Sequence, residues 1–504
     1  MWLLIFISIL ISLLFKSIFF PKSIPPGPLT LPVIGNILWL RPSFSDTYTL
    51  LRRLKTKYGP ILTLHVGPRP TIFISDRSLA HQALIQNGVV FSDRPPSGPT
   101  LRITNSNQQT ITSSSGATWR LLRRNLTSEI LNPSRIKSFS PSRRSVLGIL
   151  IRRLVQDGNP SVAVCAVDHF RHAMFCLLVF MSFGEMVEET KIDEIETVHR
   201  RLLGIGRFYL LNVFPTLTKI LMRKKWLELH ELRKEQEDVL LPLIQEARRK
   251  VKEEGKDKTI VSYVDSLLDL ELPEKKRKVE DGEIVSLISE FLNGGTDTTT
   301  TALQWIMANL VKYPKIQEKL FEEIKEIVKG NPDEIEEVKE EDLKSVPYLK
   351  SVILEGLRRH PPAYFVLPHA VKNDIVLDGY VVPKKGVVNV MVAEMGWDPK
   401  VWEEPMEFKP ERFLNGGGEG EVFDVTGSRE IKMMPFGAGR RICPAYGLAM
   451  LHLEYFVANL VWKFEWKAVE GDEIDLSWKQ EFTMVMKNPL KAILIPRSNT
   501  TILS

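Results

Sequence analysis

The stretch Pro435–Gly447, "PFGAGRRICPAYG", sets one cysteine among glycines and arginines in a chain whose three cysteines stand at 165, 176 and 443. The apolar run after it, "YGLAMLHLEYFVANLVW", reads as a buried helix. Cys443 therefore lies just ahead of a helix N-terminus, where the positive end of the dipole and the neighbouring Arg441 favour thiolate over thiol. Gly437 and Gly439 let the backbone turn and come close to something flat. A thiolate held in this way is a nucleophile, a soft metal ligand or an incidental core cysteine. A nucleophile needs a general-base histidine, and none is near in sequence. A lone zinc needs partners that the two scattered cysteines do not supply. A haem iron needs only one protein thiolate, because the porphyrin fills four other positions.

Two further stretches carry chemistry. "FLNGGTDTTTTALQW", residues 291–305, puts two glycines and a run of hydroxyl side chains into an otherwise apolar helical pattern, which is poor for helix stability. A helix crossing a flat cofactor needs small residues at the contact, and a local opening of its hydrogen-bond ladder admits a ligand or water. Asp297 beside Thr298 supplies an acid and a hydroxyl for relaying protons. A kinked core helix with a threonine edge explains the same residues. In "ILEGLRRHPP", Glu355 and Arg358 stand one helical turn apart; that spacing is usual for an exposed ion pair, but the apolar surroundings predict burial.

These motifs together resemble the cytochrome P450 monooxygenases, whose cysteine signature F-x-x-G-x-R-x-C-x-G is met by Phe436, Gly439, Arg441 and Cys443, with Ala445 in place of the last glycine. The resemblance implies that Cys443 is the axial ligand of haem iron, that Phe436 shields its sulfur and that Arg441 contacts a haem propionate. The pattern [AG]-G-x-[DE]-T-[ST] is met by Gly294, Gly295, Thr296, Asp297, Thr298 and Thr299, and implies that Thr298 and Asp297 deliver the protons that let the O–O bond break heterolytically. E-x-x-R is met by Glu355 and Arg358, with Arg412 of "FKPERF" as the third member of a structural charge cluster. W-x-x-x-R, met by Trp119 and Arg123, implies two more propionate contacts, and His369 stands after "LP" where many relatives carry arginine. By the same analogy the substrate pocket draws on the 95–118 loop, the 200–225 region, Leu287, Phe291, Tyr364, Phe365, Val366, Leu367, and the stretch from Phe482 through Met484 to Val485. Those residues are mostly apolar and suit a lipophilic small molecule.

The overall character is similar to plant microsomal A-type members, specifically family eighty-nine, subfamily A. That implies a mainly α cytochrome P450 fold with a small β-rich lobe and an N-terminal membrane anchor helix. It also implies haem b as cofactor, O2 as cosubstrate, electrons from NADPH through NADPH–cytochrome P450 reductase, with cytochrome b5 as an optional second donor, and a place in plant secondary metabolism. A haem-thiolate isomerase or dehydratase working without O2 or reductase shares the cysteine but has no need of the Asp297–Thr298 pair; neither has a non-enzymatic haem-binding sensor.

The elements that must position these residues follow from the rest of the chain. At 504 residues, 44% hydrophobic and 25% charged, it is globular, and length alone allows about three domains. The resemblance instead implies one catalytic domain over 37–504, behind a transmembrane signal-anchor at 1–20 and a proline-rich hinge at 21–36. Met1–Phe20 is apolar apart from serines and Lys16, just long enough to span a bilayer. Lys16, Lys22, Arg52, Arg53, Lys55 and Lys57 lie at or beyond its end, which by the positive-inside rule keeps the body in the cytosol, and the resemblance implies a single-pass protein of the endoplasmic reticulum membrane. That topology silences possible glycosylation at Asn125 and Asn499. "PPGPLTLPVIGN", residues 25–36, predicts a stiff extended linker.

Residues 60–75 alternate as a pair of short strands, a second strand-rich patch falls near 374–391, and amphipathic helical stretches recur near 117–131, 142–157, 195–255, 281–311, 314–329 and 349–359. The net charge of +6 is modest and no basic stripe with interleaved aromatics points to nucleic acid. Lys275–Lys278 reads as an import patch or as a solvated linker, and the flanking acids favour the linker. Arg120, Arg124 and Arg440 offer a basic face for an acidic electron donor, or a merely solvated surface.

Overall fold

The computed structural model describes residues 24–497 except 31–34, 37–43, 67–68, 106–109, 159–161, 205–210, 213–214, 255–259, 274–275, 330–331, 333–335, 385 and 415–422. The anchor, residues 21–23 and 31–34 of the hinge, and Asn499 lie outside the described residues. The longer helices are α1 (Phe44–Tyr58), α2 (Gly116–Asn125), α3 (Ser140–Asp157), α4 (Ala166–Phe183), α5 (Glu189–Leu203), α6 (Arg223–Glu254), α7 (Asp281–Lys312), α8 (Pro314–Val328), α9 (Pro347–Arg359) and α10 (Tyr446–Lys463). The chain is mainly helical with small sheets, as expected.

Helix α7 is the axis of the molecule. Its start is set by a capping box between Glu280 and Glu283, with acids in the first turn where the helix dipole favours them. Prolines open α8 and α9 at positions where a missing N–H costs nothing. The C-terminal half of α7 is buried on nearly every face, because α4, α8, α9 and α10 pack around it and share one large apolar core.

The helix α4 was not among the expected amphipathic stretches. It is buried all round, so its apolar residues carry no 3.6-residue stripe for a periodicity search to find. It is long and apolar enough to cross a membrane, but 89% of that window is buried inside the protein. The long pattern over 195–255 divides into α5, Pro215–Leu221 and α6.

The strand lobe is built on β1 (Ile61–Val66) and β2 (Arg69–Ile74), antiparallel with Ile61 opposite Ile74. β2 runs parallel to Val387–Val390, which in turn pairs antiparallel with His369–Ala370, so the sheet delivers His369 to the lobe's inner edge. Tyr48, Tyr364, Trp397 and Trp478 stack edge to face beneath it, with ring centroids 4.7 to 6.1 Å apart. Of the basic cluster, Arg277 pairs with Glu283 at 2.7 Å and Lys278 with Asp269 at 2.7 Å, within a short ladder to Glu271–Leu272. Asn125 is buried and hydrogen-bonds Ser266.

Candidate active site

Cys443 is fixed by its own loop. Its N–H donates to the Phe436 carbonyl at 2.8 Å, and the loop between them turns through Gly437 and Gly439 at φ of 72° and 70°. At Gly439 a Cβ would lie 2.0 Å from the Leu84 carbonyl oxygen, so only glycine lets this loop pack on the segment that follows Arg77–His81. Burial pushes the Cys443 thiol up, while the Ala445 backbone N–H and then the Arg123 charge pull it down. The expectation that Arg441 supplies the positive charge is corrected: the cation that the sulfur feels is Arg123.

Arg441 is turned instead across the face of Trp119, 4.0 Å from the ring centroid, and donates to the carbonyls of Ser92 (2.7 Å), Ile111 (3.2 Å) and Ser114 (2.8 Å). Trp119 and Arg123 share one face of α2 at i, i+4 spacing. The buried Trp119 indole N–H has no acceptor, and the half-buried Arg123 guanidinium has no hydrogen bond or ion pair among the described residues. Arg94, which sequence reasoning missed, completes the group. It donates to the carbonyls of Thr112 (2.9 Å), Leu367 (2.8 Å) and Pro368 (2.8 Å). Desolvation first, and the other arginines with it, lowers Arg94 to about 10 and Arg441 to about 9. A lone arginine before two prolines in the nearly uncharged 87–101 stretch is the one sequence signal for Arg94.

Glu290 on α7, also missed, answers these charges. Its carboxylate accepts from the N–H groups of Ile111 (2.7 Å) and Thr112 (2.8 Å) and from the Thr112 hydroxyl. The segment 111–114 is thus clamped by a carboxylate on its N–H groups and by two guanidiniums on its carbonyls. His369 is neutral: burial, then Arg94, lowers it to about 3, and its Nδ1 lies 2.6 Å from the Phe91 carbonyl, which requires the proton on Nδ1.

On α7, Gly294 is exposed and a Cβ there would meet nothing within 4 Å, whereas at Gly295 it would run into Leu178 of α4 at 2.6 Å. One glycine leaves space open and the other lets two helices touch. The Thr298 hydroxyl donates to the Gly294 carbonyl at 2.6 Å. Asp297 points toward α4, 3.7 Å from Arg171 Nε, and burial raises its carboxyl. The helix is assigned without a break from Asp281 to Lys312, so the expected opening of the ladder is absent among the described residues.

Glu355 and Arg358 are fully buried and bidentate at 2.7 and 2.8 Å. Arg358 also donates to the carbonyls of Gly396, Pro405 and Glu407, Glu355 accepts from Lys409 N–H at 2.8 Å, and Arg412 Nε stands 3.4 Å away. The cluster sews α9 to the 396–412 segment.

The pocket expectations divide. Tyr364 and Met484 belong to the core of the strand lobe, the Met484 carbonyl taking the Trp305 indole N–H at 2.7 Å. Leu287 is buried in the main core and Phe291 packs on Tyr263 with centroids 5.3 Å apart. Phe365 meets Tyr48 and Phe73 edge to face. Val366 lies beside Gly437, and Leu367 and Phe482 are more than half exposed.

The residues around Cys443 fit a flat, sulfur-ligated dianion. An indole N–H without an acceptor, an unpaired guanidinium and three arginines that depress one another form an anion site larger than Glu290 and Asp93 fill. Comparison with known proteins agrees. The family model described as Cytochrome P450 matches residues 25–496. The chain is 54% identical to "Cytochrome P450 89A9" of Arabidopsis thaliana over 98% of both chains. It is 32% identical to "Isoflavone 2'-hydroxylase" of Medicago truncatula over 97% of this chain and 95% of that one. It is also 31% identical to "Salviol synthase" of Salvia pomifera over 95% and 92%.

Proposed function

Because this chain belongs to the cytochrome P450 family of monooxygenases, we propose that it inserts one oxygen atom from O2 into a lipophilic small organic molecule at haem b. In this reading NADPH–cytochrome P450 reductase supplies the electrons at the endoplasmic reticulum membrane, where residues 1–20 anchor the chain. The observation that carries it is the half-buried Cys443 sulfur with the Arg123 charge beside it, and Trp119, Arg94 and Arg441 grouped with that arginine with too little anion among them.

Bound haem supplies the redox-active iron at which dioxygen is activated. Every other part belongs to this chain. Cys443 gives up its proton on ligation, since a metal deprotonates a coordinating thiol outright despite burial. Phe436 covers the sulfur side. Trp119, Arg123, Arg441 and Arg94 would hold the two propionates, Arg441 and Arg94 each exchanging a carbonyl for a charged acceptor and Arg123 gaining its first one. His369, held on the Phe91 carbonyl through its Nδ1–H, would meet a propionate through Nε2 on taking up a second proton, which that charge favours. Gly294 keeps the distal space open, Thr298 Oγ1 holds a proton at its edge, and the raised Asp297 carboxyl passes protons inward from the Arg171 side. Val366, Leu367 and Phe482 offer the apolar wall for substrate. The hydroxylase and synthase names of the relatives accord with a plant small-molecule substrate.

The test is the absorption spectrum of the reduced, carbon-monoxide-bound protein in membranes, followed by oxygen consumption with added reductase. Cys443→Ser is expected to lose the far red-shifted Soret band of a thiolate-ligated haem. Retention of that band in the variant removes Cys443 from the iron. Absence of reductase-dependent oxygen consumption by the haem-loaded protein removes the monooxygenase reading in favour of an isomerase or a sensor.

A further inference from the structure

Away from Cys443, the facing sides of α4 and α5 bring together His172, Asp193 and Glu196. One ligand atom from each lies within 4.8 Å of the others. His172 is 4% exposed, Glu196 half-buried and Asp193 open to solvent. Asp193 and Glu196 are three apart on α5, so one face of that helix presents both carboxylates to the same imidazole.

The contacts are those of a ligand set more than of a satisfied ion pair. His172 Nδ1 stands 3.5 Å from Asp193 Oδ1 and 3.8 Å from Glu196 Oε2, beyond good hydrogen-bond length for either. Ligands bonded to zinc at about 2.1 Å in a tetrahedron lie about 3.4 Å from one another. Among the described residues no arginine or lysine forms an ion pair with Asp193 or Glu196, while Glu189, whose Oε1 is 3.7 Å from His172 Nε2, is paired with Arg153 at 2.6 Å. The other ring nitrogen, Nε2, lies 3.4 Å from the buried Cys176 sulfur one turn along α4. A proton shared there leaves the Nδ1 lone pair facing the two carboxylates, as outer-shell partners of metal-bound histidines do. The mix of one imidazole and two carboxylates suits zinc and leaves a fourth position open to water on the Asp193 side.

We propose that His172, Asp193 and Glu196 form a zinc-class divalent metal site that ties α5 to α4. The site is independent of the oxygen chemistry, but its strut lands beside Arg171, the residue that faces Asp297. Cys176 is an outer-shell group that orients the imidazole.

Equilibrium dialysis of tag-free, haem-loaded, full-length protein against zinc chloride, with metal counted by atomic emission, tests this. Wild type is expected to take up about one zinc per chain and to melt higher with zinc than without. Asp193→Asn, at an exposed position that leaves the fold intact, and Glu196→Gln are each expected to weaken uptake by at least about tenfold. His172→Ala, checked for folding by its carbon-monoxide spectrum, is expected to abolish it. Absence of uptake by wild type overturns the proposal and leaves His172 as an imidazolium between carboxylates. Undiminished uptake by Asp193→Asn and Glu196→Gln overturns it too, because the zinc then sits elsewhere.

Discussion

At Cys443 burial opposes the charged sulfur while the Ala445 N–H and Arg123 favour it. Without a metal, burial is the largest of these effects, so the sequence expectation of a ready thiolate overstated the helix terminus: a single dipole end contributes about 1 kcal/mol, less than burying the anion costs. Thr298 is bound to the Gly294 carbonyl, not to Asp297, so the acid and the hydroxyl act at separate points of one helix. Thr298→Ala removes that hydroxyl and little packing. Product formed per electron pair is expected to fall by up to about a hundredfold, with electron consumption retained; measured coupling equal to wild type would take Thr298 out of proton delivery. The motif residues Cys443, Arg441, Trp119, Arg123, Glu355 and Arg358 were each legible in sequence, but their partners were not. Arg94 and Glu290 belong to no spacing pattern, since what unites them is a shared hold on the backbone at 111–114.

At the scale of elements, adjacent glycines on α7 do opposite work. A side chain at Gly295 drives into Leu178, whereas one at Gly294 enters open space. Gly295→Val is therefore expected to destabilise the protein by about 1 to 3 kcal/mol through the α4–α7 contact. Gly294→Val is expected to leave the unfolding free energy, read from the urea midpoint, within about 1 kcal/mol of wild type while weakening carbon monoxide binding to the reduced protein. Equal midpoints for the two variants, or unaltered gas binding in Gly294→Val, would defeat the assignment. Helices with one wet face, such as α3 and α8, were readable from period. The helix α4 was not, because burial on all sides erases the contrast that the period depends on.

Four of the buried imidazoles are neutral. Desolvation lowers His199 to about 4, His369 and His452 to about 3, and His360 well below its usual range. Each binds a proton in the unfolded chain below about pH 6.5 but not in the native one, so stability is fully present above that pH and is lost as pH falls. Each contributes a loss of about 0.8 kcal/mol between pH 7.5 and 6.0, about 3 kcal/mol together. His172, raised to about 9 by the Cys176 sulfur beside it and then by Glu196, and Glu454, raised to about 6 by burial, oppose this and leave a net loss of about 1.5 kcal/mol. The urea midpoint of the full-length protein is expected to drop across that interval; a flat midpoint would mean these imidazoles reach water.

Sequence by itself determined the family, the helical class, the cysteine and the acid–alcohol pair, because the chemistry demands particular side chains at fixed short spacings. Tertiary structure alone decided which cation the sulfur feels, that Tyr364 and Met484 pack in the strand lobe's core, and that His172 meets acids from another helix. Burial and long-range charge depend on what the fold brings alongside a residue, and no local spacing encodes that.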